Sequence, residues 1–370
     1  MEHFLEVLKI LDGAVNADRK KVLAYAEQLA AKLEAKGDAK AAEGVRRTIR
    51  GGKTRELAAS RVLPGLPVDS ESRLGLADER VVARGDVHII LDEQTRRRVD
   101  EFVDHVRASD ELIANGVGIA PSLLMYGPPG CGKTELAKHV AAELQLPLLT
   151  ARTDTLVSSY LGSTSKNLRM LFEHAMGRPC VLFLDEADAV AKLRDDQHEL
   201  GELKRVVVSL LQNIDALDNK TVLLAATNHE HLLDRALWRR FAFHLRIDLP
   251  GPEACAALFT EFLGKAAPAN LDLDQVAVAA ARMSGAEIRH VCEDARRAAV
   301  LARVPKVPEA DLLLRLARTR VEGLDSLPLR ERLASARNLS PKVFTVRRLA
   351  EMFEVSTGKV SGLLRDRGEA

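Results

Sequence analysis

The sequence predicts an α/β fold built around a parallel sheet, and three observations support that prediction. From Ile89 onward, short apolar runs alternate with segments of helical periodicity, which is typical of helices wound around parallel strands. One apolar run, 123–126, leads into the glycine-rich stretch 127–134, and a helical segment follows at once. Another apolar run ends in the acidic pair Asp185-Glu186. We expect strands near residues 123–126, 147–150, 181–185, 222–226 and 244–248.

The composition excludes several classes of protein. Hydrophobic residues make up 46% and charged residues 29% of the 370 residues, as in ordinary globular proteins. The formal net charge of +1 gives no overall field that would draw the chain to nucleic acid or to an anionic membrane. No apolar stretch is long enough to span a bilayer. The four cysteines show no paired spacing and no signal peptide opens the chain, so we expect a cytoplasmic protein with free thiols and no membrane contact.

The stretch 127–134, GPPGCGKT, has the chemistry of a phosphate-binding loop. Its glycines allow backbone N–H groups to close around phosphate oxygens, and the following helix adds the positive end of its dipole. Lys133 is predicted to reach the β- and γ-phosphates, and the Thr134 hydroxyl to ligate Mg²⁺. A Gly/Pro turn that matches by chance is the alternative, and the flanking strand and helix count against it. The predicted nucleotide-binding residues here are Gly127, Pro128, Pro129, Gly130, Cys131, Gly132, Lys133, Thr134 and Glu135.

The acidic pair at the end of the third predicted strand complements this loop. Asp185 is predicted to hold Mg²⁺ through water, and Glu186 to polarise the water that attacks the γ-phosphate. An Asp-Glu pair at a strand end is a weak signal alone, but it becomes specific downstream of Lys133 and Thr134. The loop and the pair together predict a site that hydrolyses a bound nucleotide.

Four stretches occur in a fixed order: GPPGCGKT at 127–134, VLFLDEAD at 181–188, AATN at 225–228 and LDRALWRRF at 233–241. Together they resemble the AAA+ ATPases of the narrower AAA type, and the resemblance covers roughly residues 89–320. It implies ATP and Mg²⁺ as cofactors, ATP hydrolysis, and assembly into a homo-oligomeric ring, expected to be a hexamer.

The resemblance also implies roles for polar residues beyond the loop. Asn228 resembles the sensor residue that orients the attacking water. Arg239 and Arg240 match the paired arginines that relatives supply to the neighbouring subunit's nucleotide, where they stabilise charge on the transferred phosphoryl group; a surface ion pair is the alternative. The sequence departs from the family pattern at 242–244, Ala-Phe-His, where relatives usually carry a charged residue or two.

Residues 252–321 are predicted to form a helical lid, with helices at 254–263, 273–283, 286–302 and 309–320. The stretch 284–288, SGAEI, resembles the turn that packs near the adenine in AAA proteins, which implies that Gly285 and Ala286 bind ATP. Ala286 stands where other AAA+ branches carry an arginine. Gly118 and Ile119 are expected on the other side of the base.

A candidate pore loop follows the second predicted strand. Tyr160, Leu161 and Gly162 match the aromatic-hydrophobic-glycine loop of AAA unfoldases, and the next stretch, 163–169, matches alongside. A bulky side chain on a glycine-hinged loop can intercalate along a threaded polypeptide without reading its sequence. Half-buried packing of Tyr160 is the alternative. The charged segment 192–201 is expected to be a second pore-facing loop.

The chain divides by pattern and composition into five parts. We expect an N-terminal helical bundle at 1–50, a linker at 51–88, the AAA+ α/β domain at 89–250, the lid at 251–322 and a helix-turn-helix-like extension at 323–370. In the extension, Glu354 stands where a turn glycine is usual. Basic residues around its second helix suit DNA contact, and a trihelical packing or oligomerisation module is the alternative.

Two functions follow from these patterns. The first is a ring-forming, ATP-driven unfoldase that threads polypeptide through a central pore, and the second is an ATP-switched DNA-binding regulator. A finer resemblance, to bacterial AAA ATPases encoded beside subtilisin-like serine proteases and associated with plasmid incompatibility and phage defence, implies a separate protease partner. A stand-alone remodeller akin to katanin and spastin is the alternative. The sequence contains neither H-E-x-x-H nor G-x-S-x-G, so we expect no protease in the chain itself.

Overall fold

The computed structural model describes residues 66–69, 75–152, 161–188, 200–218, 220–269 and 271–365, together with separate positions between 26 and 43. The chain divides into two compact units, residues 1–65 and 66–370. In the first unit the described positions are helical, and Ala30 and Ala42 are buried, in keeping with the predicted helices. The predicted bundle as a whole lies outside the described residues.

A six-stranded sheet forms the centre of the second unit, in the order β1-β3-β4-β5-β2-β6. Its strands are β1 (Ala77–Arg80), β2 (Ser122–Tyr126), β3 (Leu148–Ala151), β4 (Cys180–Leu184), β5 (Thr221–Thr227) and β6 (Phe243–Arg246). All neighbouring pairs are parallel except β1 with β3. The five strands predicted from apolar runs are confirmed, with ends shifted by two residues at most.

Both faces of the sheet are covered, which explains why its central strands are continuous apolar runs. Every residue of β4 and β5 is buried. Along β4 the side chains alternate between two cores: Leu182 and Leu184 pack on one face, and Val181 and Phe183 on the other. The sheet therefore has little room for polar groups except where its strands end.

Strand β1 corrects the sequence analysis, which placed residues 51–88 in a linker. It pairs antiparallel with β3, from Ala77 opposite Ala151 to Arg80 opposite Leu148. Its sequence is ADER, and only Ala77 is buried. A mostly charged edge strand carries no apolar period, and its charges discourage pairing with other chains. The linker prediction is wrong for these residues.

Helices cover the sheet and form the lid. Those of the α/β part are α1 (Glu93–Arg107), α2 (Ser109–Ala114), α3 (Lys133–Leu144), α4 (Leu161–Met176), α5 (Leu200–Asp215) and α6 (Arg235–Trp238). The lid comprises α7 (Pro252–Leu263), α8 (Leu273–Ala279), α9 (Gly285–Leu301) and α10 (Glu309–Arg320). These agree with the predicted lid helices, except that α8 ends at Ala279 and not at residue 283, and Arg282 beyond it takes a left-handed backbone with φ 69°.

Three helices follow the lid: α11 (Leu329–Leu339), α12 (Val346–Met352) and α13 (Thr357–Arg365). They share one hydrophobic core with the lid, in which Phe344 and Val360 join Phe259 of α7. An ion pair between Arg348 and Glu309 ties α12 to α10. The predicted domain boundary at residue 322 therefore does not separate two cores.

The turn between α12 and α13 contains a strained residue. Glu354 has a φ of 53°, which lies in the left-handed region that favours glycine. This is the position at which the sequence carries glutamate in place of the usual turn glycine. The turn forms nonetheless, at the cost of a Cβ in an unfavourable conformation.

Replacing Glu354 with glycine should raise the free energy of unfolding by about 1 kcal/mol, because a Cβ in a left-handed backbone costs about that much. Glu354→Ala is the control, since it removes the carboxylate and keeps the Cβ. Urea denaturation followed by circular dichroism measures both variants. An alanine variant as stable as the glycine variant would rule out backbone strain as the cause.

Candidate active site

Three of the predicted stretches meet at one edge of the sheet. Strands β2, β4 and β5 end at Tyr126, Leu184 and Thr227, and because they are parallel their carboxyl ends lie side by side. A cavity of about 410 Å³ lies there. The predicted residues that line it are Pro129, Gly130, Cys131, Gly132, Lys133, Thr134, Glu135, Asp185, Glu186, Asn228, Gly285 and Ala286.

The loop between β2 and α3 closes because glycine occupies its tightest position. Gly127 has a φ of 142°, and a Cβ there would lie 2.0 Å from the carbonyl oxygen of Ile247. Only glycine allows the backbone to approach so closely. Helix α3 then begins at Lys133, so the positive end of its dipole lies at the loop, as anion binding requires.

Lys133 is the buried cation of the cavity, with 7% of its surface exposed. Its Nζ donates hydrogen bonds to the carbonyl oxygens of Gly127 (2.8 Å) and Pro128 (2.7 Å). Burial lowers the pKa of Lys133 from the usual lysine value. Burial also raises the pKa of the Cys131 thiol, so this side chain stays protonated at neutral pH.

Thr134 and Asp185 form a second polar pair. The Thr134 hydroxyl donates to Asp185 Oδ2 at 2.8 Å, and Asp185 Oδ1 accepts the backbone N–H of Glu186 at 3.0 Å. Within the described ranges, no group of three or more His, Cys, Asp and Glu side chains is placed to hold a metal ion. Mg²⁺ usually takes one or two protein oxygens and completes its shell with phosphates and water. The Thr134–Asp185 pair fits that requirement.

Glu186 and Asn228 are held by the segments around them. Glu186 has a φ of 50°, a left-handed conformation that is costly for a non-glycine residue and recurs at functional sites. Two residues on, the buried Asp188 accepts a hydrogen bond from the Thr227 hydroxyl at 3.0 Å. The same hydroxyl accepts the N–H of His229 at 3.0 Å, so both neighbours of Asn228 are fixed. The acidic stretch and the end of β5 are thereby joined.

The lid contacts the loop directly. The backbone N–H of Ala286 donates to the carbonyl oxygen of Gly130 at 3.1 Å. Helix α9 is fixed at this end by a capping box, in which Ser284 Oγ accepts the N–H of Glu287 and the Glu287 carboxylate accepts the N–H of Ser284. Gly285 and Ala286 therefore lie against the loop.

The cavity is also lined by a segment that was not predicted to contribute to it. Residues 88–91 form it, and Gly118 is not among the lining residues. Gly118 instead packs back on α2, where an added Cβ would lie 2.5 Å from Cγ1 of Ile113. Gly118 and Ile119 therefore do not line the described cavity, and their placement beside the base stays a prediction. The available sequence signal was the apolar pair at 89–90, just before the start of α1.

Asp92 and Arg289 also line the cavity and were not predicted. The Asp92 carboxylate caps α1, and hydrogen bonds from the hydroxyl (2.6 Å) and N–H (2.9 Å) of Thr95 lower the pKa of Asp92 below its usual value. Arg289 lies three residues beyond Ala286, with its guanidinium carbon 4.9 Å from the centre of the Phe262 ring. That helical spacing from Ala286 was the signal that would have found Arg289.

The two predicted arginines lie outside the cavity, in different settings. Arg240 is paired with Asp215: Nε lies 2.6 Å from Oδ1, and Nη2 donates to Oδ2 at 3.0 Å. The surface ion pair that the sequence left open is thus present at Arg240. Arg239 is exposed and makes no ion pair with any residue that the structure describes.

The predicted pore loops lie largely outside the described residues. Helix α4 begins at Leu161, so Leu161 and Gly162 belong to its first turn and not to a loop. Tyr160 and residues 192–199 lie outside the described ranges. Helix α5 takes up the end of the second predicted loop, residues 200–201. The pore roles stay predictions.

Known proteins match both the site and most of the chain. The family described as "ATPase family associated with various cellular activities (AAA)" matches residues 123–249. An uncharacterized AAA family ATPase of Sinorhizobium fredii, y4kL, is 38% identical over 78% of this chain and 87% of that protein. The ATP-dependent zinc metalloprotease FtsH 1 of Methylacidiphilum infernorum is 31% identical over 60% of this chain, and the proteasome-activating nucleotidase of Methanococcus maripaludis is 35% identical over 54%. The chain spans only 36% and 51% of these last two proteins.

A phosphate loop, an acidic pair and a polar strand end, gathered on a parallel sheet beside a helical lid, define a nucleotide-hydrolysing enzyme. The extent of the match to y4kL, with the family match across the site, shows that the chain belongs to the AAA family of ATPases. It is therefore an enzyme that binds and hydrolyses ATP. Among the helices in the described part of the chain, none is both long and apolar enough to cross a membrane.

Replacing Thr227 with valine should lower both stability and turnover. The buried Asp188 carboxylate loses one hydrogen bond, which costs about 1–3 kcal/mol. Asn228 loses the hydrogen bonds of the Thr227 hydroxyl that fix its two neighbours, Thr227 and His229. Urea denaturation and steady-state ATPase assays measure the two effects.

Thr221→Val is the matched control for this variant. Thr221 lies at the other end of β5, where its hydroxyl donates to Asp218 Oδ1 at 3.1 Å, and it does not line the cavity. It should lower stability and leave kcat unchanged. An equal loss of kcat in both variants would show that Thr227 has no special part in placing Asn228.

Proposed function

We propose that the chain is a ring-forming, ATP-driven protein unfoldase or remodeller that threads polypeptide through a central pore. ATP hydrolysis is supported by one observation: a single cavity is lined by Lys133, Thr134, Asp185, Glu186 and Asn228. The remodelling part is supported by the relatives that match, since one is named as a proteasome-activating nucleotidase and another as an ATP-dependent protease.

Each of these five residues is given one task in hydrolysis. The loop N–H groups and Lys133 bind the β- and γ-phosphates, and Thr134 and Asp185 hold Mg²⁺. Bound there, Mg²⁺ neutralises charge on the phosphates. Glu186 accepts a proton from the attacking water, and Asn228 orients that water. Binding requires the Lys133 ammonium to exchange its loop carbonyls for phosphate oxygens.

Arg239 is the residue proposed to complete the neighbouring subunit's site. It is exposed and makes no ion pair within the described part of the chain, so its guanidinium is available to a nucleotide next door. Such an arginine stabilises charge on the transferring phosphoryl group and is worth about 10³–10⁵ in rate. Arg240 is held by Asp215 and supports the turn. This sharing requires a homo-oligomer, and the resemblance implies six subunits.

The proposed grip on the substrate is the pore loop. Tyr160 directly precedes Leu161, the first residue of α4, in the sequence. In a ring, copies of Tyr160 from successive subunits would line the axis. Each aromatic contact contributes about 0.5–1.5 kcal/mol beyond its buried area, so several together suffice to hold a chain.

The proposed biological setting is narrower than the biochemical activity. The resemblance to ATPases encoded beside subtilisin-like serine proteases supports a separate protease partner and a part in phage defence or plasmid incompatibility. The identity of the neighbouring gene tests this setting. A neighbour unrelated to proteases would favour the stand-alone remodeller.

The alternative function, an ATP-switched DNA-binding regulator, has weaker support in the geometry. Helices α12 and α13 are joined by a short turn, and Lys359 and Arg365 are exposed on α13. Both arginines of α12, Arg347 and Arg348, are engaged in ion pairs with glutamates. These helices also share the core of the lid. The unfoldase therefore takes precedence.

Glu186→Gln should bind ATP and lower kcat by about 10²-fold or more, because a positioned base contributes about 10²–10⁴-fold. Lys133→Ala should lose ATP binding, since no other lysine lines the described cavity. Fluorescent ATP-analogue titration and phosphate release measure the two steps. Cys131→Ala, an uncharged change in the same loop, should stay near wild type. Near-normal turnover by Glu186→Gln would sink the catalytic assignment.

Tyr160→Ala should leave basal ATP hydrolysis near wild type and abolish its stimulation by an unfolded protein such as casein. Tyr160→Phe should retain most stimulation, because the ring and not the hydroxyl makes the grip. Coupled ATPase assays with and without casein measure both. Normal stimulation of the alanine variant would count against threading, and DNA binding by the C-terminal helices would become the next function to assay.

A further inference from the structure

We infer that Trp238 is a positioning residue that sets the direction in which the Arg239 side chain projects from the surface. The inference rests on the proposed role of Arg239 toward the neighbouring nucleotide. It is drawn from a stack of three rings that lies between the strand carrying the phosphate loop and the turn carrying the arginines.

Trp238 is the last residue of α6 and stands directly before Arg239. Its ring stacks on His244 of β6, with centroids 4.5 Å apart and an interplanar angle of 17°. It also makes an edge contact with Tyr126 of β2, at 5.1 Å and 63°. Nε2 of His244 lies 3.0 Å from the Trp238 carbonyl oxygen, which accepts its hydrogen bond. Both the ring and the backbone of Trp238 are thus held by β6.

The turn beyond Trp238 is fixed at its other end as well. Ser122 Oγ, at the start of β2, accepts the N–H of Ala242 at 3.0 Å and lies 3.4 Å from the carbonyl oxygen of Arg240. The Arg240 side chain is held by its ion pair. The residues on either side of Arg239 are therefore anchored while its own side chain is exposed. The Arg239 side chain therefore projects from a backbone position that is fixed on both sides.

The same stack gives the arginine turn and the phosphate loop a common support. Tyr126 ends β2 and is bonded directly to Gly127, the first residue of the loop. Strand β2 pairs with β6 in parallel, with Tyr126 opposite Arg246. One pair of strands, β2 and β6, thus supports two segments. The first is the loop proposed to bind this chain's nucleotide, and the second is the turn proposed to reach the neighbour's nucleotide.

Two of the three residues that depart from the family pattern at 242–244 pack through their rings. Phe243 and His244 point to opposite faces of β6. Phe243 packs against Phe102 of α1, with ring centroids 5.2 Å apart, whereas His244 stacks on Trp238. The planar imidazole of His244 lies nearly flat on the indole. Trp238 and His244 therefore form a matched pair.

The test compares Trp238→Leu with Phe243→Leu as the matched control. Each variant removes one aromatic ring that packs at β6: Trp238 of α6 stacks on His244, whereas Phe243 faces α1, away from the arginine turn. Trp238→Leu should lower kcat of the assembled enzyme by about 10²-fold, because about one ångström of misplacement costs that much. Its affinity for a fluorescent ATP analogue should not change, because the pairing of β2 with β6 and the close approach of Gly127 to Ile247 still hold the phosphate loop. Phe243→Leu should keep kcat whatever its thermal stability, and Trp238→Phe should recover most of the rate.

Two further measurements separate this inference from the role of Arg239 itself. The double variant Trp238→Leu/Arg239→Ala should be no slower than Arg239→Ala alone, because Trp238 acts through Arg239. Arg239→Ala subunits mixed with Lys133→Ala subunits should regain hydrolysis, since each lacks a different half of the shared site. Trp238→Leu subunits should be rescued in the same way.

The possible failures are distinguishable. No rescue in the Arg239→Ala mixture, with assembly confirmed, would overturn the role of Arg239 and the positioning inference with it. If the Arg239→Ala mixture is rescued, two results would overturn the positioning inference alone. One is a wild-type kcat for Trp238→Leu, and the other is fully additive losses of kcat in the double variant. If Trp238→Leu does not assemble, His244→Ala takes its place, because it removes the stack and keeps the indole packed against the core.

Discussion

The structure depends on a parallel sheet whose central strands are buried on both faces. Every residue of β4 and β5 is buried. Because burying an unpaired charge is costly, a charged side chain can be accommodated only where a strand ends. Asp185 and Asn228 each follow the last residue of a strand, and the phosphate loop follows a third. Because the strands run in parallel, these ends gather at one edge. The position of the active site is thus a consequence of strand direction and burial.

Small buried hydroxyl residues fix the segments that carry the functional side chains, two of them at this edge and Ser122 at the other end of β2. Ser122, Thr227 and Ser284 are each almost fully buried, with 2%, 1% and 6% of their surface exposed. Thr227 joins the acidic stretch to the end of β5, and Ser284 fixes the end of the lid helix beside the loop. Ser122 holds the arginine turn. The charged residues do the chemistry, while buried hydroxyls determine where the charged residues stand.

The same burial decides how much was predictable from sequence. Five strands could be predicted because continuous apolar runs mark them, and the loop and acidic residues could be predicted because chemistry fixes their spacing. Strand β1 could not, since ADER has no apolar period. The cavity walls were missed for another reason: tertiary packing brings residues 88–91 and Arg289 to the site, and the apolar pair at 89–90 and the helical spacing of Arg289 from Ala286 are only weak local signals of that packing. The pairing of Arg240 with Asp215 likewise joins distant segments without a local signal.

The core shared by the lid and the last three helices has a consequence for modularity. Removing the chain after residue 322 would strip Phe344, Leu349 and Val360 from that core. Each large side chain lost from it exposes apolar surface to water, at about 1.5–3 kcal/mol. Recognition modules are often portable, and can be deleted or transplanted without harm to the enzyme they serve. These helices are not portable in that sense. Because they share a core with the ATPase lid, a partner that binds them also binds the body that contains the lid.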